Sequence, residues 1–176
     1  MTLLPLPLET VLVDMWRSID AKLYYPALLV ALTIPDICVG LTMSKAEHVK
    51  KPHYNKFIAQ YGNGELPLEE CYMLRGGVVH RADLRGHAHI PTSHVIFTTP
   101  ESQWKIHSLT MEAAGKSALV FDLQLFCCAM EAAMRRWYEA NEKNPVVGEN
   151  IRNLIRLCPN GLHPFVTGQP ILASGE

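Results

Sequence analysis

The sequence predicts a mainly α protein, an up-and-down bundle of about five helices with a small antiparallel β insertion at about residues 88–121, in one domain spanning residues 1–176. Three observations point there. Apolar residues recur at helical spacing near the N-terminus and again late in the chain. Between them, Tyr24 to Leu41 is apolar nearly all round, the pattern of a helix at the centre of a bundle. After about residue 88 the character changes to short runs rich in β-branched and aromatic residues.

Composition supports a folded core. Hydrophobic residues make up 48% and charged residues 19%, which excludes a disordered chain. Lys+Arg number 16 against 17 Asp+Glu, so no overall basic field advertises nucleic acid. Eight histidines make the charge sensitive to mild acid. Five cysteines, with Cys127 and Cys128 adjacent, fit no disulfide framework. The apolar start Met1-Thr-Leu-Leu-Pro has no basic segment of the secretory kind, so the expected setting is cytoplasmic, with reduced thiols.

Taken in order, Leu8, Leu12, Met15, Ile19 and Leu23 form the stripe of the first helix, with Glu9, Arg17 and Lys22 off it. The second segment, Tyr24 to Met43, has the length of a membrane span. It contains Pro35-Asp36, however, and a carboxylate in hydrocarbon is costly, which favours a buried central helix and no membrane. Pro26 fits a first turn, whereas Pro35 predicts a kink or break. After the polar stretch Ser44 to Pro52, a short helix is expected from His53 to Tyr61, ended by Gly62-Asn63-Gly64.

The next helix opens after Pro67 with Leu68-Glu69-Glu70, acids placed where the helix dipole prefers them. It runs to His80 through Gly76 and Gly77, each costing about 1 kcal/mol against alanine, which calls for close packing or a bend. A β meander follows, with strands at His94 to Thr99, Trp104 to Met111 and Ser117 to Phe121, and a turn at Gly115-Lys116. Asp122 to Asn141 is a long helix. Asn144-Pro145 starts the last one, which carries Val147, Ile151, Leu154 and Ile155 and stops near Cys158. The tail beyond it reads as loosely ordered.

The chemistry concentrates in Cys71-Tyr72-Met73-Leu74-Arg75-Gly76-Gly77-Val78-Val79-His80. Arg75 offers a fork of donors suited to phosphate, and His80 can move a proton near neutral pH. Metal-free RNA cleavage needs those two functions, because the 2′-OH is itself the nucleophile. On a straight helix, residues five apart diverge by about 140°. A bend at Gly76-Gly77, or a second chain's pair, would bring the groups together. Without such an arrangement, Arg75 pairs with a carboxylate and His80 closes the helix end.

Leu74-Arg75-Gly76-Gly77-Val78-Val79-His80 resembles the signature of the HEPN superfamily, an arginine followed after about four to six residues by a histidine. The resemblance implies a small helical bundle that dimerises beside the motif, with RNA and an antitoxin or other protein as partners. The settings it implies are toxin–antitoxin systems, phage defence or RNA processing. It further implies phosphate contact by Arg75 and general acid/base chemistry by His80, with no cofactor. Gly76 stands where active members carry a polar residue, which predicts weak activity.

Asp36, a lone carboxylate in an apolar segment, is expected either to partner Arg75 or to cap a helix restarted after Pro35. Arg75, Arg81 and Arg85, with His80, His87, His89 and His94, form a local basic rim suited to phosphate backbone, with Gly76 and Gly77 beside it. His87 and His89, two apart, also suit a metal on one strand face, although a solvated loop is the plainer reading. Cys127-Cys128 reads as buried, inert thiols, and Trp137-Tyr138 as packing rather than a stacking platform. No phosphate-binding glycine loop or nucleophile elbow occurs. Three functions follow in order: a dimeric metal-independent endoribonuclease or RNA-binding protein, a non-catalytic nucleotide- or protein-binding module, and a metal-dependent hydrolase using His87 and His89.

Overall fold

A computed structural model describes residues 3–44, 47–84, 92 and 94–175, the side chains of 68 and 69 excepted. About 51% of the chain is helical. Six helices are described, where about five were expected: α1 Leu6–Asp20, α2 Tyr24–Leu41, α3 Lys51–Tyr61, α4 Leu68–Arg81, α5 Leu123–Asn141 and α6 Pro145–Ile151.

The central position expected of α2 follows from its packing. It contacts α1, α3, α4, α5 and α6, and buries Ala27, Leu28, Ala31, Leu32, Ile34, Pro35, Cys38 and Leu41 among them. α2 has the length and composition of a membrane span, and 44% of that span is buried, packed against the chain's own helices. Asn150 on α6 finishes its C-terminal end, donating to the carbonyls of Leu41 and Met43 at 3.0 Å each. Of the kink or break expected at Pro35, the break does not occur: α2 is continuous through it. An interior proline costs about 3 kcal/mol. Each large apolar side chain buried around it contributes about 1.5–3 kcal/mol, so packing outweighs propensity.

On α1 the stripe Leu8, Leu12, Met15 and Ile19 is buried as expected, but Leu23 lies beyond the helix and is exposed. Trp16 Nε1 donates to Glu131 on α5 at 2.6 Å, and Arg135 bridges Glu131 at 2.8 Å and Glu9 at 3.2 Å. This polar seam fixes α1 against α5. The last helix is shorter than expected. It ends at Ile151, leaving Leu154 and Ile155 outside.

The insertion is not the antiparallel meander the sequence suggested. Its strands are β1 His94–Thr98, β2 Leu109–Ala113 and β3 Lys116–Asp122, in the order β1-β3-β2. β1 pairs with β3 in parallel, His94 opposite Ala118 and Thr98 opposite Asp122. Only β2 and β3 form an antiparallel hairpin, turned at Ala114 (φ 51) and Gly115 (φ 72). Two consecutive positive φ values match the twist of a two-residue hairpin. The segment expected as strand from Trp104 is strand only from Leu109. The loop before it returns the chain past β1, so that β3 enters in the middle and parallel. β3 leads directly into α5, whose N-cap Asp122 is buried and accepts from the Leu125 amide at 3.0 Å.

The tail is more structured than expected. β4 Arg156–Cys158 pairs with β7 Ile171–Ala173, and β5 Gly161–Leu162 pairs with β6 Val166–Thr167. Arg156 also donates to the Gly175 carbonyl at 2.8 Å. These strands are too short to show a period in the sequence. The thiols are free, with Cys38, Cys71 and Cys127 buried. Cys128 is exposed, contrary to the expectation of a buried pair, because neighbouring helix positions face different ways.

The loop after β1 is tethered to the start of α2. Tyr24 donates its hydroxyl to Glu101, and Lys22 lies 3.2 Å from the same carboxylate. The Tyr24 hydrogen bond leads the causes that hold the Glu101 carboxyl down at about 2. A carboxyl lowered in the folded state stabilises above its unfolded value and loses that contribution as pH falls through about 2. Tyr24→Phe is therefore expected to lower the melting temperature at pH 7, with the difference from wild type vanishing near pH 2. Calorimetry at the two pH values checks this.

Candidate functional site

α2 and α4 pack together and place Asp36 opposite Arg75. Arg75 Nε donates to Asp36 Oδ2 at 2.7 Å, with the two side chains 23% and 16% exposed. Of the two roles expected for Asp36, the pairing with Arg75 is the one the structure contains, since α2 does not restart at Pro35. The second carboxylate oxygen, Oδ1, is buried with no hydrogen-bond partner. Burial is the main influence on Asp36 and pushes its carboxyl up, against the pull of the Arg75 hydrogen bond and charge. The folded chain thus holds this proton more tightly than the unfolded chain. That contribution is full below the ordinary carboxyl range and is lost as pH rises through the raised value.

Two tyrosines complete the layer, and the sequence reading missed both. The Arg75 guanidinium lies 6.0 Å from the Tyr72 ring centroid. Tyr54 on α3 meets Tyr72 edge-on at 5.4 Å and donates to the Leu32 carbonyl at 2.9 Å. Tyr72 was findable, since it stands three residues before Arg75, where side chains on one helix face meet. Tyr54 comes from another helix and gives no local signal.

α4 continues unbroken through Gly76 and Gly77. A Cβ placed on Gly76 would meet nothing within 4 Å, so the close packing expected at this position is absent from the chain itself. Gly77 is buried, and its carbonyl accepts from the Asp83 amide at 3.2 Å as the helix closes at Ala82 in a left-handed conformation. Tyr25 ties the start of α2 to this end, donating to the Val78 carbonyl at 3.2 Å.

His80 is exposed in the last turn of α4. Along a continuous helix it stands about 7.5 Å beyond Arg75 and about 140° around from it. Arg75 faces α2, so one chain alone does not aim both groups at one point. Arg81 is exposed one residue further on. Arg85, His87 and His89 lie outside the described residues, whereas His80, Arg81 and His94 of the expected basic rim are described. Among the described residues no three His, Cys, Asp or Glu side chains gather as metal ligands. Trp137 is 2% exposed, in keeping with packing.

No protein-family model, no curated protein and no solved structure matches the chain. The functional reading therefore rests on the residues and their geometry.

Proposed function

We propose that the chain is a HEPN-like, metal-independent endoribonuclease or RNA-binding protein acting as a homodimer. The observation that carries this reading is the α4 site. Asp36 fixes a partly exposed guanidinium, and the same helix presents an exposed histidine in its last turn. Arg75 contacts the scissile phosphate and neutralises the charge that builds on it. His80 of one protomer takes the proton from the 2′-OH, which attacks the phosphorus. The imidazolium so formed returns that proton, through water, to the departing 5′-oxygen. The products are a 2′,3′-cyclic phosphate and a 5′-OH, and no step calls on a metal or cofactor. Arg81 and Arg85 extend the phosphate contact. In this reading the helices are an up-and-down bundle, and the protein works in the cytoplasm with RNA and an antitoxin or other protein as partner.

A two-fold arrangement answers the divergence of Arg75 and His80, because Arg75 of one chain meets His80 of the other. Gly76 supplies the room, having no side chain and open space around it. Light scattering is expected to give about 40 kDa, twice the 19.7 kDa of one chain. Gly76→Ala is expected to raise stability by about 1 kcal/mol through helix propensity alone. Gly76→Leu is expected to keep the fold and lower the dimer fraction. A monomer at every concentration sinks the dimeric site.

The reading is tested with excess protein and a short labelled single-stranded RNA, in chelator, over a single turnover. Cleavage to cyclic-phosphate ends supports it. Binding without cleavage supports its RNA-binding arm, and neither binding nor cleavage favours a non-catalytic nucleotide- or protein-binding module, which the commitment of Arg75 Nε to Asp36 also favours.

A further inference from the structure

A cleft of about 350 Å³ opens between the end of α2, α3 and the end of α5, formed by residues other than the Asp36, Arg75 and His80 set. Its volume falls at the low end of the range for small-molecule sites, the size of one nucleotide rather than a chain of them. Its charged lining is Lys56 and, when protonated, His53; no carboxylate lines it. Phe57, Tyr61 and Trp137 provide aromatic wall, and Gln60 and Asn141 provide amides.

The hydrogen bonds already made decide what the cleft offers. His53 Nδ1 accepts from the Lys50 amide at 3.3 Å, which leaves Nε2–H as a donor in the neutral ring. Asn141 Nδ2 donates to the Trp137 carbonyl at 2.8 Å and to the Tyr61 hydroxyl oxygen at 3.5 Å. The Tyr61 hydroxyl keeps its proton to give, and Asn141 keeps its carbonyl oxygen to accept. Behind the wall, Arg136 Nε donates to the Tyr61 carbonyl at 2.8 Å, and its Nη2 is buried without a partner. Glu47, a carboxylate close enough to act on His53, is engaged by the Ser44 amide at 3.0 Å and hydroxyl at 2.9 Å. The cleft is thus cationic, rich in donors and aromatic-walled, with side-chain amide carbonyls in reach.

We infer that this cleft binds a nucleoside monophosphate, with Lys56 and His53 on the phosphate and Tyr61, Gln60 and Asn141 on the base. Donors with a positive charge select an oxyanion. Aromatic wall beside amides selects a planar heterocycle that carries both donors and acceptors. The inference stands apart from RNA cleavage and needs no activity to be tested.

The experiment is calorimetric titration of the full chain with AMP, GMP, CMP and UMP, with adenosine and inorganic phosphate as controls. At least one nucleotide is expected to bind saturably and more tightly than either control. Lys56→Glu is expected to weaken that binding about tenfold or more, the loss of a charged contact. Gln60→Ala is expected to change the preference among bases. Lys56 and Gln60 are both exposed, so the variants should fold; a melting temperature unchanged from wild type verifies it. No saturable binding at millimolar nucleotide overturns the inference. Equal binding of phosphate alone overturns the base contacts, and binding untouched by Lys56→Glu overturns the location.

Discussion

His80→Ala is expected to lower the single-turnover rate of RNA cleavage by about 10² to 10⁴, the usual cost of losing an acid/base group. Its melting temperature should stay at the wild-type value. The side chain is exposed at the end of α4, so truncation opens no core cavity. RNA binding should weaken little, because the imidazole acts on protons rather than as a main phosphate contact. His80→Ala with full activity would place the chemistry elsewhere. His80→Ala with a large loss of stability would make the residue structural.

Arg75→Ala is expected to act on both activity and stability. Removing the guanidinium takes away a contact that strengthens as charge develops on phosphorus, and cleavage should cease. It also leaves Asp36 largely buried with its hydrogen bond gone, which costs about 2–3 kcal/mol at pH 7. That cost should shrink on acidification. Burial already pushes the Asp36 carboxyl up, and without Arg75 it protonates more readily still. In the unfolding of Arg75→Ala, Asp36→Asn and the double variant, the two losses should not add. Additive losses, or a cost for Arg75→Ala independent of pH, would show that the pair does not couple. Arg75→Lys restores charge without the planar fork and should recover little.

Much of the helical layout could be read from the sequence because its signals are local. The stripe Leu8, Leu12, Met15 and Ile19, the apolar run of α2 and the Asn144-Pro145 start each lie within a few turns of chain. Partnering across the chain could not be read. The parallel pairing of β1 with β3 depends on the loop that carries β2 around them. Pro35 does not break α2 because burial by five neighbouring helices outweighs the proline's own preference. At the site, the Arg75 and His80 spacing gave the candidates and Asp36 gave a possible partner. The cleft residues His53, Lys56 and Gln60 also recur on one face of α3, at spacings of three and four. That pattern went unread because an exposed polar helix face is ordinarily only solvated surface.

The central claim is one RNA-cleaving site assembled from Arg75 of one protomer and His80 of its partner. The direct test mixes two inactive variants. Arg75→Ala and His80→Ala chains, co-expressed and purified as a heterodimer with two different tags, carry one complete Arg75/His80 combination across the interface. The heterodimer is expected to cleave RNA to 2′,3′-cyclic phosphate ends at about half the wild-type rate, while either homodimer is silent. A heterodimer as silent as its parents, beside an active wild type, would contradict the shared site. A wild type that never cleaves would contradict the reaction itself.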